Sequence, residues 1–237
     1  MRKLINTTIM ANTELDQIAL TLCTKSTLKQ DIFKNTLEQF QEMKKVASNV
    51  VENIKAKVCA KDDRIIIEYT EKSKYEFHIT LAGDILVFNL HSNVFKFDEN
   101  HSIWRTNYLK EDENRGYTGI INIYNFLADS FRFNRINDSG YLIGRVFINA
   151  ENHFITEGKR KMSFLYTEFD KLIFDTQHME DIIENIMIHV LDFDLYVPLY
   201  ESVSEVSIHQ IKTTGDTIQL KTGKRMGFQF GTDSEII

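Results

Sequence analysis

Asp138 and the run Glu157-Gly158-Lys159 bring together two carboxylates and a lysine, residue types that suit phosphodiester hydrolysis. Hard carboxylate oxygens hold Mg²⁺, which stabilises the charge of a phosphoryl transition state and activates water. A lysine nearby helps to place that water. If the segment from His153 to Lys159 is extended, the two-residue period of a strand puts Glu157 and Lys159 on one face. A second set is cationic: Arg132, Arg135 and Arg145 crowd the middle of the chain. Turned into a large apolar pocket, they would make a small-ligand or nucleotide sensor. Within this set, Phe131-Arg132-Phe133-Asn134-Arg135 interleaves rings with cations, a combination that stacks bases and meets phosphates on single-stranded nucleic acid. The same segment also suits buried phenylalanines with solvated arginines.

The spacing of Asp138 and Glu157-Gly158-Lys159 resembles the Asp…Glu-x-Lys pattern of the PD-(D/E)xK nuclease superfamily, with Asn137 where the family usually has proline. The resemblance covers this short span. It implies a Mg²⁺-dependent nuclease in which Asp138 and Glu157 are metal ligands and Lys159 positions the attacking water. Other signatures are missing. Gly223-Lys224 is followed by Arg225 and lacks the upstream glycine of a phosphate loop, and neither a Gly-x-Ser-x-Gly elbow nor a His-Glu-x-x-His helix occurs. His178 and His189 fall about three helical turns, or ~16 Å, apart and cannot share one ion unaided. Asp192-Phe193-Asp194 reads as exposed acids at a helix end.

The elements that must position these residues follow from hydrophobic periodicity. Thr13 caps a short first helix with Leu15, Ile18, Ala19 and Leu22 on one stripe. Ser26 is expected to cap a second helix reaching about Ala60. There Phe33, Leu37, Phe40, Lys44, Ala47, Val51, Ile54 and Val58 form a heptad seam with one polar interruption. That seam suits either a coiled-coil dimer or a long helix lying on its own sheet. Ile32, Met43, Val46 and Val50 widen it in favour of the second. Past Lys61 the period becomes two: Tyr75, Phe77, Ile79 and Leu81 alternate with Glu76, His78 and Thr80. Turns at 71–74 and 82–84 divide three such runs into an antiparallel meander, with a fourth strand near Val94 to Phe97. The segment from Asp98 to Gly116 reads as a long surface loop anchored by Trp104 and Tyr108. Ile120, Tyr124, Leu127 and Phe131 have helical spacing and read as a helix, although their β-branched and aromatic content also permits a strand.

Farther on, Tyr141 to Asn149 and His153 to Glu157 form a hairpin about Ala150-Glu151-Asn152, with a further strand over Lys161 to Tyr166. A third helix starts at Asp175 or Thr176 and ends before Pro198. Val203 to Lys212 and Thr217 to Lys221 read as a closing hairpin, followed by a short strand near Phe228 to Phe230. The expected class is α+β: an antiparallel meander and further hairpins packed with a long N-terminal helix and one late helix. Residues 1–60 form a helical segment used in packing or self-association, and 61–237 a β-rich domain.

With 237 residues, 43% of them hydrophobic and 26% charged, the chain is of average globular composition and needs no disulfide. Cys23 and Cys59 lack metal-ligand spacing and read as buried thiols in a reducing compartment. Polar residues break the apolar run at the start, so a signal peptide is not expected and the expected location is cytoplasmic. The net charge of -6 argues against broad coating by nucleic acid. Charge is nevertheless uneven: six basic residues meet three acids between Arg132 and Lys161, whereas Leu172 to Ile211 holds eight acids and no Lys or Arg. The leading expectation is therefore an intracellular, non-catalytic binding or regulatory protein, not integral to a membrane and without a required cofactor. Self-association would use the second helix or a sheet edge, and a protein partner fits a flat apolar surface. The alternatives are the Mg²⁺-dependent nuclease and the ligand sensor.

Overall fold

The computed structural model describes residues 13–159, 162, 166–193, 197 and 199–208. The expected strands over 161–166, 217–221 and 228–230 lie outside those residues or at their margins; of the expected strand over 203–212, residues 203–208 are described and form no strand, Val203 instead ending a short helix, Tyr200–Val203. Helix α1 spans Glu14–Thr21, and the Thr13 hydroxyl accepts from the Asp16 N–H at 3.2 Å. Ser26 does not open a second helix. It has helical torsions and no capping bond, and a five-residue π turn, Leu22–Ser26, joins α1 directly to α2, Thr27–Cys59. The wider turn accommodates one extra residue, so the faces of the two helices are out of phase. Leu15, Ile18 and Leu22 are exposed, and no residue of α1 is buried. Cys23, in the π turn beside this unburied helix, is exposed and Cys59, at the end of α2, half-buried, so neither is the buried thiol expected.

Helix α2 buries Ile32, Phe40, Met43, Val46, Ala47, Val50 and Val51. The heptad seam packs on the protein's own sheet, where the rings of Phe40 and Phe77 lie 5.4 Å apart. Lys44, the polar interruption, is 4% exposed and makes two bonds: Nζ donates to Glu71 Oε1 at 2.8 Å and to the Ser73 carbonyl at 2.7 Å. It thereby holds the helix to the irregular end of the first strand.

The strands are β1 Ile67–Ser73, β2 Glu76–Leu81, β3 Asp84–Leu90, β4 Phe95–Lys96, β5 Tyr117–Leu127, β6 Tyr141–Ile148 and β7 Phe154–Gly158. All pair antiparallel in the order β1-β2-β3-β5-β6-β7, with short β4 alongside β5. The fold is α+β with an antiparallel meander. Residues 117–127, which contain most of the expected helix at 120–131, instead form the central strand. β-Branched Ile120, Ile121 and Ile123 suit a pleated surface buried on both faces, and the helix begins only with α4, Ala128–Arg132. Helix α5, Thr176–Leu191, is capped by Asp175, whose carboxylate accepts from the His178 N–H at 2.9 Å. It lies with α2 over the inner face of the sheet.

Gly119 shows how close that approach is. A β-carbon there would collide with the Thr36 side chain of α2, so only glycine lets the helix settle on β5. No helix among the described residues is long and apolar enough to cross a membrane.

Phe77 is fully buried between Phe40, Tyr69 and Phe88. Phe77→Ala is expected to cost about 3–5 kcal/mol in urea unfolding, because the ring's burial is lost and a cavity remains. A loss under about 1 kcal/mol would contradict this packing.

Candidate functional site: a cleft on the outer face of the sheet

A strand that turns Phe77, Ile79 and Leu81 toward the helices must turn its alternate residues outward. Because the registers align, five outward residues stand directly opposite one another across the sheet: Glu76, Asn89, Asn122, Arg145 and Glu157. At one end Glu76 accepts from Asn89 Nδ2 at 3.3 Å and bonds His78 Nε2 at 2.9 Å. Burial lowers the pKa of His78, against the opposing pull of the Glu76 bond. At the other end Arg145 directs Nε, at 2.9 Å, and Nη2 to a single oxygen of Glu157, Oε2. Its guanidinium also lies 5.2 Å from the ring centre of Phe147. Between these two settled ends sits Asn122. It is 8% exposed, its side chain has no hydrogen bond among the described residues, and its amide is not among the fully enclosed polar atoms that lack a partner, so the cleft reaches it.

Beside this row, Ile120, Phe147 and Ile155 form an apolar patch that packs with Ile103, Leu109 and Phe169 into a second core. The expected anchors Trp104 and Tyr108 do hold the 98–116 loop, but Ile103 and Leu109 from its short helical turns are buried more deeply. The span from His91 to Ile103 stands over the outer face and closes a cleft of about 610 Å³. Its floor includes Ile120, Asn122, Arg145, Phe147 and Glu157, and its wall includes His91, Phe95, Phe97 and His101. His91 Nδ1 accepts from the Asn93 N–H at 3.0 Å, and His101 Nδ1 accepts from the Ile103 N–H at 3.3 Å. With Nδ1 accepting, the tautomer this geometry suits presents Nε2–H to the cleft as a donor.

The residues singled out in the sequence are distributed over several places. Glu157 and Arg145 line this cleft together. Asp138 belongs to a different neighbourhood, where its Oδ2 accepts from Ser130 at 2.7 Å and pairs with Arg135 Nε at 2.8 Å. Arg135 is thus buried in an ion pair. Arg132 lies over the Phe133 ring and lines a separate pocket beside α4. The Lys159 backbone N–H donates to the Ile143 carbonyl at 3.1 Å. Asp138 and Glu157 each meet an arginine, and among the described residues no group of three or more His, Cys, Asp or Glu could hold a metal ion. Asn122, Asn89, His91 and His101 were not singled out. The available signal was Asn122 itself, a lone amide within the apolar run Ile120-Ile121-Asn122-Ile123.

A polar cluster fastens the loop to the β6–β7 turn. Tyr108 Oη donates to Glu151 at 2.7 Å and accepts from Asn149 Nδ2 at 2.9 Å, while Arg115 Nε reaches Glu151 at 3.2 Å. The Tyr108 hydrogen bond, then Arg115, holds the Glu151 carboxyl below its usual 4.5. Burial raises the Tyr108 phenol well above its ordinary range. A carboxyl depressed on folding contributes stability above its unfolded pKa and loses it as pH falls through the folded value. The wild type is therefore expected to melt above Glu151→Gln at pH 7, with the gap closing as pH falls below about 4.5. A gap that is constant with pH would rule out this account of the fastening.

Comparison of the chain with protein-family models, curated proteins and solved structures found no match, so the functional reading stands on the geometry of this cleft.

Proposed function

We propose that this chain is a non-catalytic protein that binds a small molecule in the cleft on the outer face of its sheet. Asn122 is the observation that carries the reading. An amide on the floor of a largely apolar cleft offers a donor and an acceptor that fix the orientation of what enters it. Asn122 lines the cleft as a residue more than nine-tenths buried, and its amide, open to the cleft, makes no hydrogen bond to a described residue. A bound ligand would supply the missing partner. The volume supports this, since about 610 Å³ lies within the range of small-molecule sites. The lining mixes apolar walls with a few convergent polar groups, again as such sites do. Binding rather than chemistry is supported by the state of the charged groups. Arg145 and Glu157 neutralise one another, and both histidines use Nδ1 to accept from backbone N–H groups.

Thermal shift of the full chain against a library of small polar metabolites tests the proposal. Ligands that bind only the folded state raise Tm by mass action. Thr167 is exposed at the cleft, so Thr167→Phe narrows the space without disturbing the core. Some compounds are expected to stabilise the wild type by several degrees and to lose most of that shift with Thr167→Phe. A library that shifts nothing, or shifts both proteins equally, would overturn the assignment of this cleft.

A further inference from the structure

The atoms left for a ligand at the cleft floor follow a pattern. Asn122 presents one donor, Nδ2, and one acceptor, Oδ1, side by side. Arg145 commits Nε and Nη2 to Glu157 Oε2, so Nη1 and Glu157 Oε1 lie outside that pair and supply one more donor and one more acceptor. Asn122 and Arg145 are direct cross-strand partners, as are Arg145 and Glu157. Donors and acceptors therefore occur together along one line of the sheet. The charges at the cleft floor cancel, because one guanidinium, Arg145, faces one carboxylate, Glu157. Lys96, another cation of the lining, lies 3.6 Å from Glu113 and over the Trp104 ring. An inorganic anion or a polyphosphate would find no surplus of positive charge here.

The walls call for a flat partner. Phe97 lies 5.1 Å from Phe147 and 4.7 Å from His101, and His91 lies 4.8 Å from Phe95. Aromatic surfaces of this kind stack on planar rings. Resting on the reading of the cleft as a binding site, we propose that its ligand is a neutral planar heterocycle with adjacent donors and acceptors on its edge. That is the chemistry of a nucleobase, taken as a free base or nucleoside. An asparagine reads such an edge with two bonds at once, while arginine and glutamate read acceptors and amino groups respectively. The amide, the neutralised ion pair and the aromatic walls then act on one ligand.

Isothermal titration calorimetry of the full chain with adenosine, guanosine, cytidine and uridine tests the inference. The four 5′-monophosphates, benzoate and a short single-stranded oligonucleotide are run alongside. At least one nucleoside is expected to bind, its 5′-monophosphate to bind no more than about threefold tighter, and benzoate and the oligonucleotide to bind more weakly than the nucleoside. Asn122→Leu keeps the side-chain shape and removes the amide. It is expected to weaken nucleoside binding about tenfold or more, while the unliganded protein stays folded, because the amide makes no hydrogen bond to a described residue. Glu157→Gln, at an exposed position that leaves the fold intact, is expected to weaken binding several-fold. Affinity unchanged in both variants would overturn the inference, and so would a monophosphate, the oligonucleotide or benzoate binding more than about tenfold tighter than every nucleoside. If no nucleoside binds while other compounds shift the wild type and not Thr167→Phe, the ligand class is wrong and the cleft stands. If no compound shifts the wild type, the cleft assignment itself has failed.

Discussion

The packing of α2 on the inner face of the sheet sets everything else. Strand side chains alternate, so committing Phe77, Phe88, Ile121, Ile123 and Val146 to the helices commits Glu76, Asn89, Asn122 and Arg145 to the other side. A slip of one residue in any register would drive a charge or amide into the core, which is why register is so strongly specified here. Lys44 and Gly119 fix the arrangement from the helix side. The lysine ties α2 to the end of β1, and the glycine gives Thr36 room against β5. The outer row is thus a geometric product of the inner core.

That row would lie on an open sheet face were it not for the second, smaller core. Ile103, Leu109 and Phe169 cover Ile120, Phe147 and Ile155, which leaves the row at the margin of an apolar patch. Burial at that margin lowers the local dielectric and strengthens each polar contact, and it also makes a missing contact costly. Arg145 and Glu157 meet this demand with each other, as do Glu76 and Asn89. Asn122 stands between the two pairs, in reach of the cleft. The Tyr108, Asn149, Arg115 and Glu151 cluster holds the covering loop in place from the far side.

Much of the framework was legible in the sequence because it rests on short-range periodicity. Thr13 and Asp175 cap helices, and the runs at 75–81 and 141–157 form strands and a hairpin about the expected turns. Central strand β5 was read as a helix because Ile120, Tyr124, Leu127 and Phe131 lie at helical intervals. A strand covered on both faces has no alternation to reveal it. The same cause hid the site. Asn122 acquires meaning only when Asn89 and Arg145 stand beside it, and those neighbours are set by pairing distant in sequence. Glu157 and Arg145 were visible as charged residues, but their mutual bond was not. Asp138 was grouped with Glu157 on spacing alone, whereas the fold gives it to Ser130 and Arg135.

The close seating of Thr36 on Gly119 also bears on how fast a ligand could come and go. β5 is clamped from behind by α2 at this point, and its neighbours on both sides are hydrogen-bonded along their length. The floor of the cleft is therefore a stiff plate. Compliance belongs to the opposite wall, where His91 to Ile103 is built of turns, a two-residue strand and one short helical turn. For a ligand of this cleft, entry and exit would be governed by that span, which also carries the wall rings, and hydrogen-bond selectivity would be governed by the plate. Exchange kinetics and the hydrogen-bond part of specificity would then reside in separate parts of the chain, each free to change by substitution without the other.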